Sequence, residues 1–144
     1  FKPRSSCFRK QYGIGKKKMI LCVASRWSKR KGIADVIQLA SLIDDNTIIV
    51  MVGVDEKQKK TLPKNIIGIS RTEKAEQLAE IYTAADMLFN PTREDTYPTV
   101  NLEAEACGTK VVTYDAGGSR ETLHDSRSVA IPIGNFRKVL DYLE

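Results

Sequence analysis

Six short apolar runs recur along the chain, at residues 19–24, 48–52, 66–69, 87–89, 111–114 and 129–131. They are β-branched or otherwise apolar throughout and show no polar alternation, the pattern of strands buried on both faces. Between them the period changes to that of a helix. Ile33, Val36, Ile37 and Ala40 fall at i, i+3, i+4 and i+7, and Leu78, Ile81, Tyr82 and Ala85 repeat the spacing. Thr72 is placed to cap the second of these helices, with Glu73 and Glu76 in its first turn. Pro98 suits the first position of another, where its missing N–H costs nothing. Gly134 and Asn135 mark the start of a last helix, which reads through to Glu144.

Strands alternating with helices at this spacing predict a single α/β domain over residues 1–144. The expected fold is a Rossmann-like, doubly wound, parallel sheet of six strands with right-handed crossovers. Such sheets bind ligands beyond the carboxyl ends of the strands, where the strand order reverses. Chemistry is therefore to be sought in the segments that follow strands.

Composition narrows the classes. The chain is 42% hydrophobic and 28% charged, which is ordinary for a globular domain. No apolar run approaches the roughly 20 residues of a membrane span, and residues 1–18 lack the apolar core of a signal peptide. The start at Phe1 and the helical reading up to Glu144 are what two cuts in a longer chain would give. Cys7, Cys22 and Cys107 have no metal-type spacing and read as free thiols suited to a reducing cytoplasm, Cys22 and Cys107 being buried ones. With His124 as the sole histidine, neither a histidine metal site nor a Ser-His-Asp array has support.

Charge is unevenly distributed. Residues 1–34 hold eleven Lys or Arg and no acid, whereas the remainder holds 12 basic and 18 acidic residues. A basic leading segment suits a nucleic acid, an anionic membrane or a phosphate-bearing ligand. Few aromatics are interleaved with it, which disfavours stacking on single strands.

Three segments after strands carry candidate chemistry. Lys29, Arg30 and Lys31 precede Gly32 at the start of a helix, the wrong sign for the helix dipole. A bound phosphate would reverse that penalty, with Gly32 permitting close approach of the backbone. The plain alternative is a solvated basic loop. In the segment 91–103, Asp95 lies just before a helix and Glu103 lies five residues past Pro98. That spacing sets Glu103 about 7.5 Å further along the axis, the scale of a diphosphate. Two carboxylates so placed can grip hydroxyls at the two ends of a nucleotide-sugar, while the N–H groups near Thr99 and Val100 hold the phosphates. The alternative is a pair of helix-start acids, Glu94 and Asp95, and a surface Glu103. Third, Gly117 and Gly118 form a tight turn whose N–H groups can face an anion, or an ordinary loop. Gly13-x-Gly15-Lys16 lacks the P-loop spacing, and nothing matches GxGxxG.

From about Met19 onward the chain resembles group 1 glycosyltransferases, family 4 of the GT-B superfamily. Arg26 and Lys31-Gly32 are similar to the family's Arg…Lys-Gly element, and Asp95 to Glu103 to its E-x7-E element. The stretches EACGTKVVTYDAGGSRE and LAEIYTAADMLFNPT resemble the glycine-loop region and the segment ahead of the donor site. The resemblance implies the C-terminal half of a retaining GT-B enzyme. Arg26 and Lys31 would neutralise the donor diphosphate and stabilise the leaving nucleoside diphosphate, and so be the catalytic residues. Glu103 would accept the ribose hydroxyls, and Thr99 and Val100 would offer backbone N–H groups. Asp95 stands where the family has its first Glu, one methylene shorter, and the adjacent Glu94 is a substitute for contact with the transferred sugar.

The partners so implied are a nucleotide-sugar donor, the enzyme's own N-terminal domain and a saccharide or lipid-linked acceptor, with no nucleic acid. No cofactor or metal is expected, the nucleotide-sugar being the substrate, and the isolated domain should be nearly inactive. The implied location is cytoplasmic, at the inner face of the membrane if peripheral. A sugar-nucleotide epimerase on the same fold, or an α/β binding module without chemistry, are the alternatives.

Overall fold

A computed structural model describes residues 1–143. Its six strands are β1 (Lys18–Val23), β2 (Thr47–Val52), β3 (Ile66–Ile69), β4 (Met87–Asn90), β5 (Lys110–Tyr114) and β6 (Val129–Ile131). All pair in parallel, in the order β3-β2-β1-β4-β5-β6. The five helices are α1 (Phe8–Gln11), α2 (Ile33–Ala40), α3 (Glu56–Thr61), α4 (Ala75–Ala84) and α5 (Thr99–Ala106). Turns of 3₁₀ helix follow at Arg120–Thr122 and Phe136–Tyr142. This is the doubly wound sheet the sequence predicts.

The uniform apolar runs conceal a period of two. Ile20, Cys22, Ile49, Met51, Met87, Phe89, Val112 and Tyr114 face one layer, where Val36 and Leu39 of α2 pack with Val139. Met19, Leu21, Val23, Val50, Val52, Leu88 and Val111 face the other, against Ala79 and Tyr82 of α4, Ala104 of α5 and Phe8 of α1. Both faces are covered, so the strand positions are nearly all apolar, and the buried Asn90 and Thr113 are each hydrogen-bonded. β1 touches both β2 and β4 (Ile20 beside Ile49 and Met87), so the order reverses between β1 and β4. Their carboxyl ends open the crevice where such sheets bind ligands.

Several local expectations change. Thr72 does not cap α4. The helix starts at Ala75 after Lys74, and the Gln77 side chain accepts from the N–H groups of Glu73 and Lys74. Pro98 sits one residue before α5 rather than in its first position. The last element is a 3₁₀ helix that follows Asn135 and stops at Tyr142, and Glu144 lies outside the described residues. Cys22 and Cys107 are buried free thiols and Cys7 is exposed. No described helix is long and apolar enough to cross a membrane.

Candidate functional site

A cavity of about 390 Å³ opens at the reversal of the sheet, within the size range of small-ligand sites. Three connections build it: the loop after β1, the loop between β3 and α4, and the segment from β4 into α5. The first is held by Trp27, buried, whose indole N–H donates to the Val52 carbonyl at 2.9 Å. Gln58 of α3 donates to the Trp27 carbonyl at 3.0 Å. The loop after β1 is thus tied to the end of β2 before it reaches Lys31.

Lys31 and Asp95 meet across the crevice. The Lys31 ammonium lies 3.1 Å from Asp95 Oδ2, while Asp95 Oδ1 accepts from the Tyr97 N–H at 3.2 Å. Two further contacts clamp the same loops. Gly32 has φ +90°, and a Cβ there would press on the Pro91 carbonyl and ring. Arg93 donates through its backbone to the Arg30 carbonyl at 2.9 Å, and its guanidinium lies 2.7 Å from Asp35 Oδ2. Asp35, only 7% exposed, also accepts from the Tyr114 hydroxyl at 2.6 Å. Burial first, and the Asp35 carboxylate second, push the Tyr114 phenol up, so it remains a donor. Asp35 in the first turn of α2 offsets the basic residues before that helix.

Glu103, one turn into α5, lines the opposite part of the cavity. Its Oε1 accepts from the hydroxyl of Tyr82 on α4 at 2.8 Å. Burial pushes the Glu103 carboxyl above its ordinary value, and the Tyr82 hydroxyl, bonding to the charged form, pulls the other way. α5 is fixed by a buried polar chain in which Asn90 donates to Asn101 at 3.0 Å and Asn101 to Thr122 at 3.0 Å. No hydrogen bond to the N–H of Thr99 or Val100 is found among the described residues, and both residues line the cavity. These are the donors that a helix start leaves open.

Lys31, Asp95, Thr99, Val100 and Glu103 therefore converge on one cavity. Arg26 does not join them: its neighbours Ser25 and Trp27 line the wall, but its own side chain is exposed and has no partner among the described residues. Glu94 and Gly117 line an adjacent recess of about 520 Å³ that shares Lys31 and Asp95 with the main cavity. Two glycines of the candidate segments make close contacts within the protein. The Gly118 N–H donates to the Asp95 carbonyl at 3.2 Å, and a Cβ at Gly118 would strike the Thr96 carbonyl, so Gly118 supports the Asp95 loop instead of facing an anion. Gly32 likewise gives close approach to Pro91 within the protein.

Tyr82, Asp35 and Arg93 were not expected at the site. Tyr82 reads as an apolar face residue, and nothing in the sequence reveals the partner of its hydroxyl. Asp35 had a signal, as the first acid after eleven bases. Among the described residues no group of three or more His, Cys, Asp or Glu is placed to hold a metal ion.

The profile of the glycosyl transferases group 1 family matches residues 6–136. The chain belongs to that family. Among curated relatives, the D-inositol 3-phosphate glycosyltransferase of Arthrobacter sp. (strain FB24) is 28% identical over 142 residues, covering 89% of this chain and 33% of the relative. The N-acetyl-alpha-D-glucosaminyl L-malate synthase of Bacillus anthracis is 26% identical over 149 residues, covering 98% and 39%. The chain thus spans between about a third and two fifths of the length of these relatives. In fold it is similar to Anabaena HepE in complex with UDP-glucose, with TM-score 0.79 and 18% identity over 94% of this chain and 40% of that one. It is similar also to the C-terminal domain of the group 1 family protein LpcC from Francisella tularensis, with TM-score 0.77 and 20% identity over 99% and 83%. This group 1 chain therefore shares its Rossmann-like α/β fold with both structures.

Proposed function

We propose that this domain holds the nucleotide-diphosphate-sugar donor of a retaining, family 4 glycosyltransferase. The observation that carries the reading is the convergence of Lys31, the open N–H groups of Thr99 and Val100, and the Glu103 carboxylate on one cavity at the sheet reversal. The glycosyl transferases group 1 membership and the fold shared with a UDP-glucose complex support it.

Each group then has a task. Glu103 accepts the ribose hydroxyls. The helix start of α5 and Lys31 hold the diphosphate, and Arg26, with no partner among the described residues, swings over the rim to join them. As the glycosidic bond breaks, these fixed charges and N–H dipoles stabilise the departing diphosphate without reorganising, the task that a metal ion performs in other transferases. Asp95, with Glu94 beside it, contacts the transferred hexose. The acceptor, a saccharide or lipid-linked saccharide, docks against the N-terminal domain of the enzyme, in the cytoplasm or at the inner membrane face.

Ligand-observed NMR of this chain against UDP-, GDP- and ADP-sugars tests the reading. Saturation of ribose and hexose protons by one of the three is expected. No contact with any of them would defeat it.

A further inference from the structure

Tyr82 of α4 has a fully buried side chain. Its backbone is pinned as well, the Tyr82 carbonyl accepting from the Thr109 hydroxyl and from the Ala85 N–H. The phenol therefore has little freedom, and its O–H ends on Glu103 Oε1 at 2.8 Å. Glu103 Oε2 has no partner among the described residues, and the carboxylate lines the cavity.

We propose that Tyr82 is a positioning residue for nucleotide binding: by holding one oxygen of Glu103 it fixes the carboxylate's rotation and presents the other to the ribose. This rests on the reading that the cavity takes a nucleoside diphosphate. A glutamate on a half-exposed helix face otherwise samples several rotamers, and ordering it on binding weakens affinity. A donor already in place removes that cost. The same bond favours the charged form of Glu103. Burial favours its neutral form, which accepts hydrogen bonds poorly, and the Tyr82 hydroxyl opposes that effect. Burial and the Glu103 charge both hold the Tyr82 proton on, so the phenol remains the donor. The other titratable or charged groups around Glu103 are Cys107, just past the end of α5, and the Phe1 amino group. Lys31, Asp95, Arg71, Glu73 and Lys74 share its cavity.

The test is Tyr82→Phe in this chain, with calorimetry on UDP, GDP and ADP, and on the 2′,3′-dideoxy counterpart of whichever binds most tightly. The ribose nucleotide should bind about three- to tenfold more weakly, the usual size of one hydrogen bond. The dideoxy compound should bind as before. The pH at which affinity falls on acidification should move up, because Glu103 has lost the donor that favours its charge. Wild-type affinity with an unchanged pH midpoint, or an equal loss with both nucleotides, would overturn the proposal. Replacing all tyrosines with 3-fluorotyrosine gives an independent reading should Tyr82→Phe not fold. The stronger donor should move the midpoint down, and no movement counts against the role. Glu103→Gln separates the two layers: if it leaves binding of the ribose nucleotide unchanged, the ribose assignment itself has failed. If it weakens binding and Tyr82→Phe does not, only the positioning role has.

Discussion

Asp95 and Glu103 carry the same charge in opposite settings. Asp95 is already engaged at both oxygens, by Lys31 and by the Tyr97 N–H. On the proposed reading, donor binding at Lys31 competes with that ion pair. Asp95→Asn should leave the affinity for free nucleoside diphosphate unchanged or raise it by no more than about fivefold, since a partly exposed pair is worth about 1 kcal/mol at most. Binding of the nucleotide-sugar should weaken. Calorimetry with both ligands checks this, and equal weakening of the two would refute the division of labour. Glu103 is held above its ordinary value by burial, so the folded chain binds that proton more tightly than the unfolded chain. Stability from this group is full below the unfolded value and is lost as pH rises through the folded one. Glu103→Gln should consequently raise the unfolding midpoint at pH 7.5 and leave it near wild type at pH 4. A variant no more stable than wild type at pH 7.5 would show that the buried charge is no burden.

At the scale of elements, the loop after β1 and the segment from β4 to α5 are locked by Gly32 against Pro91 and by Arg93 against Asp35. Gly32→Ala combines a left-handed φ with a clash on backbone, and should destabilise the fold by about 1–3 kcal/mol. Chemical denaturation measures it, and a loss under a few tenths would mean the loops part easily. The six strands were legible because burial on both faces keeps their runs apolar, with buried polar residues such as Asn90 and Thr113 lying near the strand ends. α3 was not, although Asp55 and Gln58 form a capping box with bonds of 2.7 and 3.0 Å. None of its residues is buried, so no hydrophobic period exists to be read. The glycines were legible as turns, but not what approaches them. At Gly32 and Gly118 it is protein backbone. Lys31, Asp95, Thr99, Val100 and Glu103 were legible because they sit at strand ends and helix starts. Tyr82 and Arg93 were not, since each meets its partner across elements 21 and 58 residues apart in sequence.

Across the whole molecule, the basic leading segment divides between structure and site. Arg9 is committed to structure: it reaches Asp86 at 2.9 Å and the carbonyls of Ala84, Gly15 and Lys17. Lys31 belongs to the cavity, beside the exposed Arg30. In the enzyme that carries this domain, Lys31→Ala or Arg26→Ala should lower turnover by about 100-fold or more, as loss of a charge-stabilising donor does. Chelation by EDTA should leave turnover intact. Turnover that survives both substitutions, or that vanishes with EDTA, contradicts the phosphate assignment. The most direct measurement is calorimetry of this chain and its Glu103→Gln variant with UDP, GDP and ADP. The account predicts that at least one binds the wild-type chain, and that the variant binds it with a loss on the order of 1.5–3 kcal/mol, the range for charged hydrogen bonds. Binding that is absent from both, or equal in both, would contradict a nucleotide site built on Glu103.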